Sequence, residues 1–146
     1  MWSKIQKKLK LLGYYDAEID NIPGPKTAAA ICTALGIAEV GSEHFTEHEV
    51  KCPCCGECLI APGTLEMAEK TRAHFGGRPY TVSSGYRCKK HNREVGGVAN
   101  SRHTTGKAMD GTISGVRAAE AVKAAYELGC RYAYAIDSNY FHFDIE

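Results

Sequence analysis

Three side chains set the chemistry this sequence could perform. In Ser101-Arg102-His103-Thr104-Thr105-Gly106-Lys107-Ala108-Met109-Asp110 an imidazole and a carboxylate are separated by six residues, in the pattern S-x-H-x-x-G-x-A-x-D. A second imidazole follows near the C-terminus, in Tyr140-Phe141-His142-Phe143-Asp144-Ile145. Two histidines and one aspartate form a three-ligand set that leaves a fourth zinc position open, as catalytic zinc sites do and closed structural sites do not. Nitrogen and oxygen ligands suit zinc, and the open position is what hydrolysis requires. The plainer alternative is a capped turn and a half-buried strand histidine.

The elements that must position these residues read as follows. Pro62 opens a helix through Leu65, Ala68, Glu69, Arg72 and Phe75, stopped by Gly76-Gly77. Arg78 to Ser83 is rich in β-formers and reads as a strand. A long loop over 84–102 then delivers Arg87 and His103 to one place, as loops of this length in compact domains commonly do. Lys107 to Ile113 is a short strand, and Ser114 caps a helix running through Val116, Ala119, Val122 and Tyr126 to Gly129. Residues 131–136 and 140–145 form a hairpin around Asp137-Ser138-Asn139. Side chains alternate along a strand, so Tyr140, His142 and Asp144 share one face, with Phe141, Phe143 and Ile145 on the other. The aromatic side belongs to a core and the polar side to a site.

Ahead of this, residues 1–40 read as a short helical module. Ser3 caps a helix whose apolar residues Ile5, Leu9 and Leu12 recur at helical spacing, ended by Gly13. Gly24-Pro25 opens a second helix, with proline where its missing N–H is harmless, continuing to Gly36. A linker near Val40-Gly41-Ser42 leads into the main domain, residues 41–146. The fold class expected is α+β, a small antiparallel sheet with flanking helices, preceded by the helical module.

Four thiols crowd into seven residues at Cys52-Pro53-Cys54-Cys55-Gly56-Glu57-Cys58. The spacings Cys52-x2-Cys55 and Cys54-x3-Cys58 suit a tetrahedral thiolate zinc site, and Cys88 could supply a further ligand. Disulfides in an oxidising compartment and free thiols are the alternatives. Seven cysteines in all leave at least one unpaired within the chain. Cys32 and Cys130 are most simply small apolar residues.

A formal net charge of +1 supplies no strong field for nucleic acid or an anionic membrane, so neither is expected as a partner. No apolar run approaches membrane-spanning length. Gln6, Lys7, Lys8 and Lys10 interrupt any secretory h-region, so no export signal is expected.

Residues 81–110 resemble the zinc D-Ala-D-Ala carboxypeptidase family of peptidoglycan peptidases, the M15 group. The parts that carry the resemblance are Ser84-Gly85-Tyr86-Arg87, His91-Asn92, Val95-Gly96-Gly97, Ser101 to Asp110, and a closing His142-Phe143-Asp144. The resemblance implies an M15/hedgehog-like zinc peptidase fold, one catalytic Zn2+ held by His103, Asp110 and His142, and an Arg87 that contacts substrate and developing oxyanion. It implies hydrolysis of amide bonds in peptidoglycan stem peptides or cross-bridges. Ser101 would shape the turn before the first ligand, and His91 makes a loop hydrogen bond.

The general base departs from the family pattern. Relatives place a carboxylate or histidine two or three residues before the last ligand, where this chain has Tyr140 and Asn139. Asp137 and Asp144 are the candidates nearby. A non-catalytic wall-binding protein that keeps the fold is the rival reading.

The N-terminal segment resembles the peptidoglycan-binding module of cell-wall hydrolases. Ile5-Gln6-Lys7-Lys8-Leu9, Gly13-Tyr14-Tyr15, Ile19-Asp20 and Gly24-Pro25-Lys26-Thr27 match that pattern, with Asn21 where glycine is usual. With no export signal, the two resemblances together imply a monomeric phage endolysin or autolysin, made in the cytoplasm and acting at the bacterial cell wall after lysis or non-standard export.

Overall fold

The computed structural model describes residues 1–35 and 41–146. The chain divides into two compact units, Met1–Glu39 and Val40–Glu146. Gly36, expected to stop the second helix, and Val40, expected in the linker, lie outside the described residues.

In the first unit, α1 (Trp2–Leu11) and α2 (Pro25–Ala34) enclose a small cluster of Leu9, Tyr15 and Ala30. The buried face of α1 differs from the expected one. Leu12 is 53% exposed, whereas Gln6 is fully buried. Burial of an amide demands partners, and Gln6 has them. Its Nε2 lies 2.8 Å from Asp20 Oδ1 and 3.0 Å from the Ile22 carbonyl, while its Oε1 accepts from Asn21 N at 3.0 Å. Ser3 does not cap α1; Met1 stands at that position, and Asn21 Oδ1 accepts from Ser3 N at 2.9 Å. Asn21 has φ +62°, a left-handed conformation that asparagine tolerates better than most residues. That explains how it stands where the resembled module has glycine.

The second unit is built on a four-stranded antiparallel sheet in the order β1-β2-β4-β3. Its strands are β1 (Tyr80–Ser84), β2 (Ala108–Ile113), β3 (Tyr132–Ala135) and β4 (Phe141–Asp144). Three helices flank them: the short α3 (Glu47–Val50), α4 (Pro62–His74) and α6 (Ala118–Glu127), with α5 (Lys89–Glu94) following β1. The α+β class expected from sequence is the observed one. One face of the sheet is the core: Phe141, Phe143 and Met109 have no exposed surface, and Leu65, Ala68, Ala121 and Ala125 pack over them. Three such side chains each contribute about 1.5–3 kcal/mol of burial, so β2 and β4 are the best-anchored strands.

The opposite face is polar because residues paired across strands lie on the same side. Asp110 pairs with His142, and His142 with Tyr134, so three functional side chains stand in one row. Ser84 pairs with Asp110 beyond an irregularity in β1 between Val82 and Ser84. Bulges of this kind re-aim a side chain, and here Ser84 joins the row.

Two local expectations are corrected. The segment 84–102 is not one loop: α5 interrupts it, with the Cys88 sulfur accepting from His91 N at 3.4 Å. Ser114 does not cap α6; Arg117 occupies that position, and its N–H donates to Glu120 Oε2. Gly106, at φ +69°, ends the 3-10 turn Arg102–Thr105, and a Cβ there would collide with the Leu59 carbonyl. Only glycine meets both demands.

Candidate metal centre

His103, Asp110 and His142 converge. One donor atom from each lies within 4.8 Å of the other two, and the three residues are 3–7% exposed. β2 carries Asp110 and β4 carries His142, while His103 arrives on the 3-10 turn. Ser101 Oγ accepts from His103 N at 3.3 Å at the start of that turn.

The imidazole orientations are fixed from behind. His103 Nδ1 lies 2.7 Å from the Gly85 carbonyl, which can only accept, so Nδ1 carries the proton. His103 Nε2 is then the ring nitrogen left facing the centre, 3.2 Å from Asp110 Oδ1. His142 Nδ1 lies 2.6 Å from that same oxygen, and its ring stacks on Tyr134 at 4.8 Å between centroids. Electron pairs aimed at one point need a proton or a cation between them. The donors are nitrogen and oxygen, at separations compatible with zinc bonds of about 2.0–2.2 Å, so the residues present fit a divalent zinc ion.

Burial alone would raise the Asp110 carboxyl. Hydrogen bonds and charge from His103 and His142 outweigh it and hold the group well below the usual carboxylate range. Arg87 adds to this order, with Nη2 donating to Asp110 Oδ2 at 2.7 Å and Nε to Ser84 Oγ at 2.7 Å.

The centre opens into a cleft of about 530 Å³ lined by Arg87, Ser101, Tyr132, Tyr134, Arg131 and Asp144, besides the three donors. Asp144 is 3% exposed; its Oδ2 accepts from Arg131 Nη2 at 2.6 Å and lies 3.6 Å from His142 Nε2. Its Oδ1 is buried with no hydrogen-bond partner among the described residues. Asp137 does not belong here. It sits in the β3–β4 turn, where its Oδ1 accepts from Asn139 N and Tyr140 N at 2.7 and 2.8 Å, and it does not line the cleft. A base role for Asp137 is therefore set aside. Tyr140 lines a separate cleft with Thr112 and Arg117. His91 also lies outside the centre, on α5 with Nδ1 3.9 Å from Glu94.

Sequence reasoning missed Arg131, Tyr132 and Tyr134. Arg131 reaches Asp144 across paired strands, and nothing local to either residue announces it. The period-two alternation of Tyr132 and Tyr134 opposite β4 was the available signal.

The cysteine run separates. Cys52, Cys55 and Cys88 bring their sulfurs within 4.8 Å of one another, Cys54 is exposed, and Cys58 packs against the hydrophobic core.

A profile of the peptidase M15 family matches residues 30–144. The chain belongs to that family, and it is a peptidase. Among solved structures it is similar to the L-Ala D-Glu endopeptidase ChiX of Serratia marcescens, at 19% identity and a TM-score of 0.42, over 60% of this chain and 81% of that one. No curated protein matches the chain.

Proposed function

We propose that the protein is a zinc-dependent peptidase that hydrolyses amide bonds in the stem peptides or cross-bridges of bacterial peptidoglycan. The observation that carries this reading is the convergence of His103, Asp110 and His142 at the floor of a cleft, with Gly85 holding His103 Nε2 toward Asp110. When bound, zinc supplies the Lewis acidity that activates water and polarises a scissile carbonyl.

The chain's own residues do the rest. Asp110 stays ionised and orients both imidazoles. Arg87 is held rigidly by Ser84 and Asp110, so its guanidinium can stabilise oxyanion charge without reorganising. Asp144 is the remaining carboxylate of the cleft. Its carboxylate is the base this reading assigns, with Arg131 holding Oδ2. Tyr132 and Tyr134 form an aromatic wall against which a peptide can lie.

The N-terminal unit is the wall-binding part of this reading, and the protein works as a monomeric endolysin or autolysin at the bacterial cell wall. Its support is the resemblance carried by Ile5-Gln6-Lys7-Lys8-Leu9, Gly13-Tyr14-Tyr15 and Gly24-Pro25-Lys26-Thr27. The experiment is mass spectrometry of purified muropeptides after digestion, with chelator and with zinc restored. Products at stem-peptide or cross-bridge amides that disappear with chelator and on His103→Ala support the reading and identify the bond. Binding to cell walls without any cleaved product overturns it in favour of a non-catalytic wall binder.

A further inference from the structure

We infer that Cys52, Cys55 and Cys88 form a second metal site, a thiolate zinc clasp, separate from the catalytic cleft. Three sulfurs from segments 36 residues apart meet within 4.8 Å of one another. One disulfide would use two of them and strand the third, whereas a thiophilic ion takes all three.

The backbone around Cys52 is arranged for a thiolate. Cys52 is fully buried, and Cys88 N donates to its sulfur at 3.4 Å. The turn is closed by Gly56 N on the Cys52 carbonyl at 2.9 Å and by Cys52 N on the Glu57 carbonyl at 2.8 Å. Amide hydrogens aimed at a buried sulfur favour its anionic form, the form that binds metal. On coordination each thiol gives its proton to solvent and its sulfur forms the bond to the ion.

The place of the clasp gives it a purpose. Tyr86 N donates to the Val50 carbonyl at 2.8 Å, and a Cβ on Gly85 would collide with that same carbonyl, so the two segments touch through backbone. Cys88 directly follows Arg87, Arg87 N donates to the His103 carbonyl at 3.1 Å, and Gly85 fixes the His103 ring. A metal joining Cys52 and Cys55 to Cys88 thus braces the turn that holds Arg87 and His103. This last consequence rests on the peptidase reading of the cleft; the metal site itself does not.

The test uses the full chain purified anaerobically in reductant. Elemental analysis is expected to find two zinc ions per wild-type chain, one in Cys55→Ser and one in His142→Ala, with two retained in Cys130→Ser. Cobalt substitution supplies a signature independent of folding yields. Wild type and His142→Ala are expected to show the intense near-ultraviolet sulfur-to-cobalt charge-transfer band, and Cys55→Ser to lose it. A band with only one metal per chain would uphold the clasp and count against the cleft. The clasp is overturned if wild type shows no such band, if the band vanishes in His142→Ala and persists in Cys55→Ser, or if alkylation mapping finds these cysteines disulfide-bonded in the reduced preparation.

Discussion

Among the described residues, donor atoms gather in two places, and the two are built differently. His103, Asp110 and His142 are all buried, two of them on the central strands β2 and β4, with the Gly85 carbonyl holding His103 and Arg87 holding Asp110. Cys52, Cys55 and Cys88 stand on turns, one buried, one exposed and one between. The first group is rigid before any ion arrives, which is what transition-state stabilisation requires. An ion bound to the second group would supply its rigidity. A preorganised centre should therefore fail in turnover and a clasp in stability.

Replacing a donor in the cleft gives the largest effect. Lewis-acid assistance is worth several kcal/mol, so His142→Ala is expected to lower kcat/KM by about a thousandfold at about 1.4 kcal/mol per tenfold, measured on purified muropeptides. Arg87→Ala comes next, with kcat reduced by about a hundredfold and KM changed less. Arg87→Lys should recover only part of this, because one ammonium cannot serve Ser84 and Asp110 in the same fork. Arg131→Met frees Asp144 Oδ2 and should lower kcat by about tenfold. Equal losses from Arg131→Met and His142→Ala would blur the distinction between donor and support.

The clasp should behave in the opposite way. Cys55→Ser is expected to lower the thermal midpoint by about 4–8 °C, roughly the shift of 1 kcal/mol in a domain this size, with a smaller loss of turnover than any change in the cleft. Calorimetry of the variant with zinc and with chelator checks it. The smallest effect is on acid stability. The Asp110 carboxyl is held below its ordinary value in the fold, so the unfolded chain binds its proton first as pH falls. Its stabilisation is full above about pH 4 and is lost as the pH drops toward the folded value. Urea unfolding of metal-free protein should show a slope in that acid window that Asp110→Asn flattens.

Much of the centre was legible in sequence because its logic is local. The alternation of His142 and Asp144 with Phe141 and Phe143 assigns the two faces of β4 before any pairing is known. The turn before Asp110 is marked by Ser101 and Gly106. What escaped reading depends on distance or on polar helices. Lys89–Glu94 has no apolar periodicity, so α5 looks like loop. Gln6 looks like an interruption of an apolar face, yet partners from residues 20–22 make it the buried centre. Asp137 looks like a base because it is near His142 in sequence, but turn chemistry uses its carboxylate.

The sharpest single measurement is zinc K-edge X-ray absorption on Cys55→Ser protein carrying one zinc equivalent and assayed for hydrolysis in the same sample. The expected spectrum has nitrogen and oxygen neighbours at about 2.0–2.2 Å with imidazole scattering, in protein that cleaves muropeptides. A shell of sulfur at about 2.3 Å, or active protein without bound zinc, would contradict the assignment of His103, Asp110 and His142 as the catalytic metal centre.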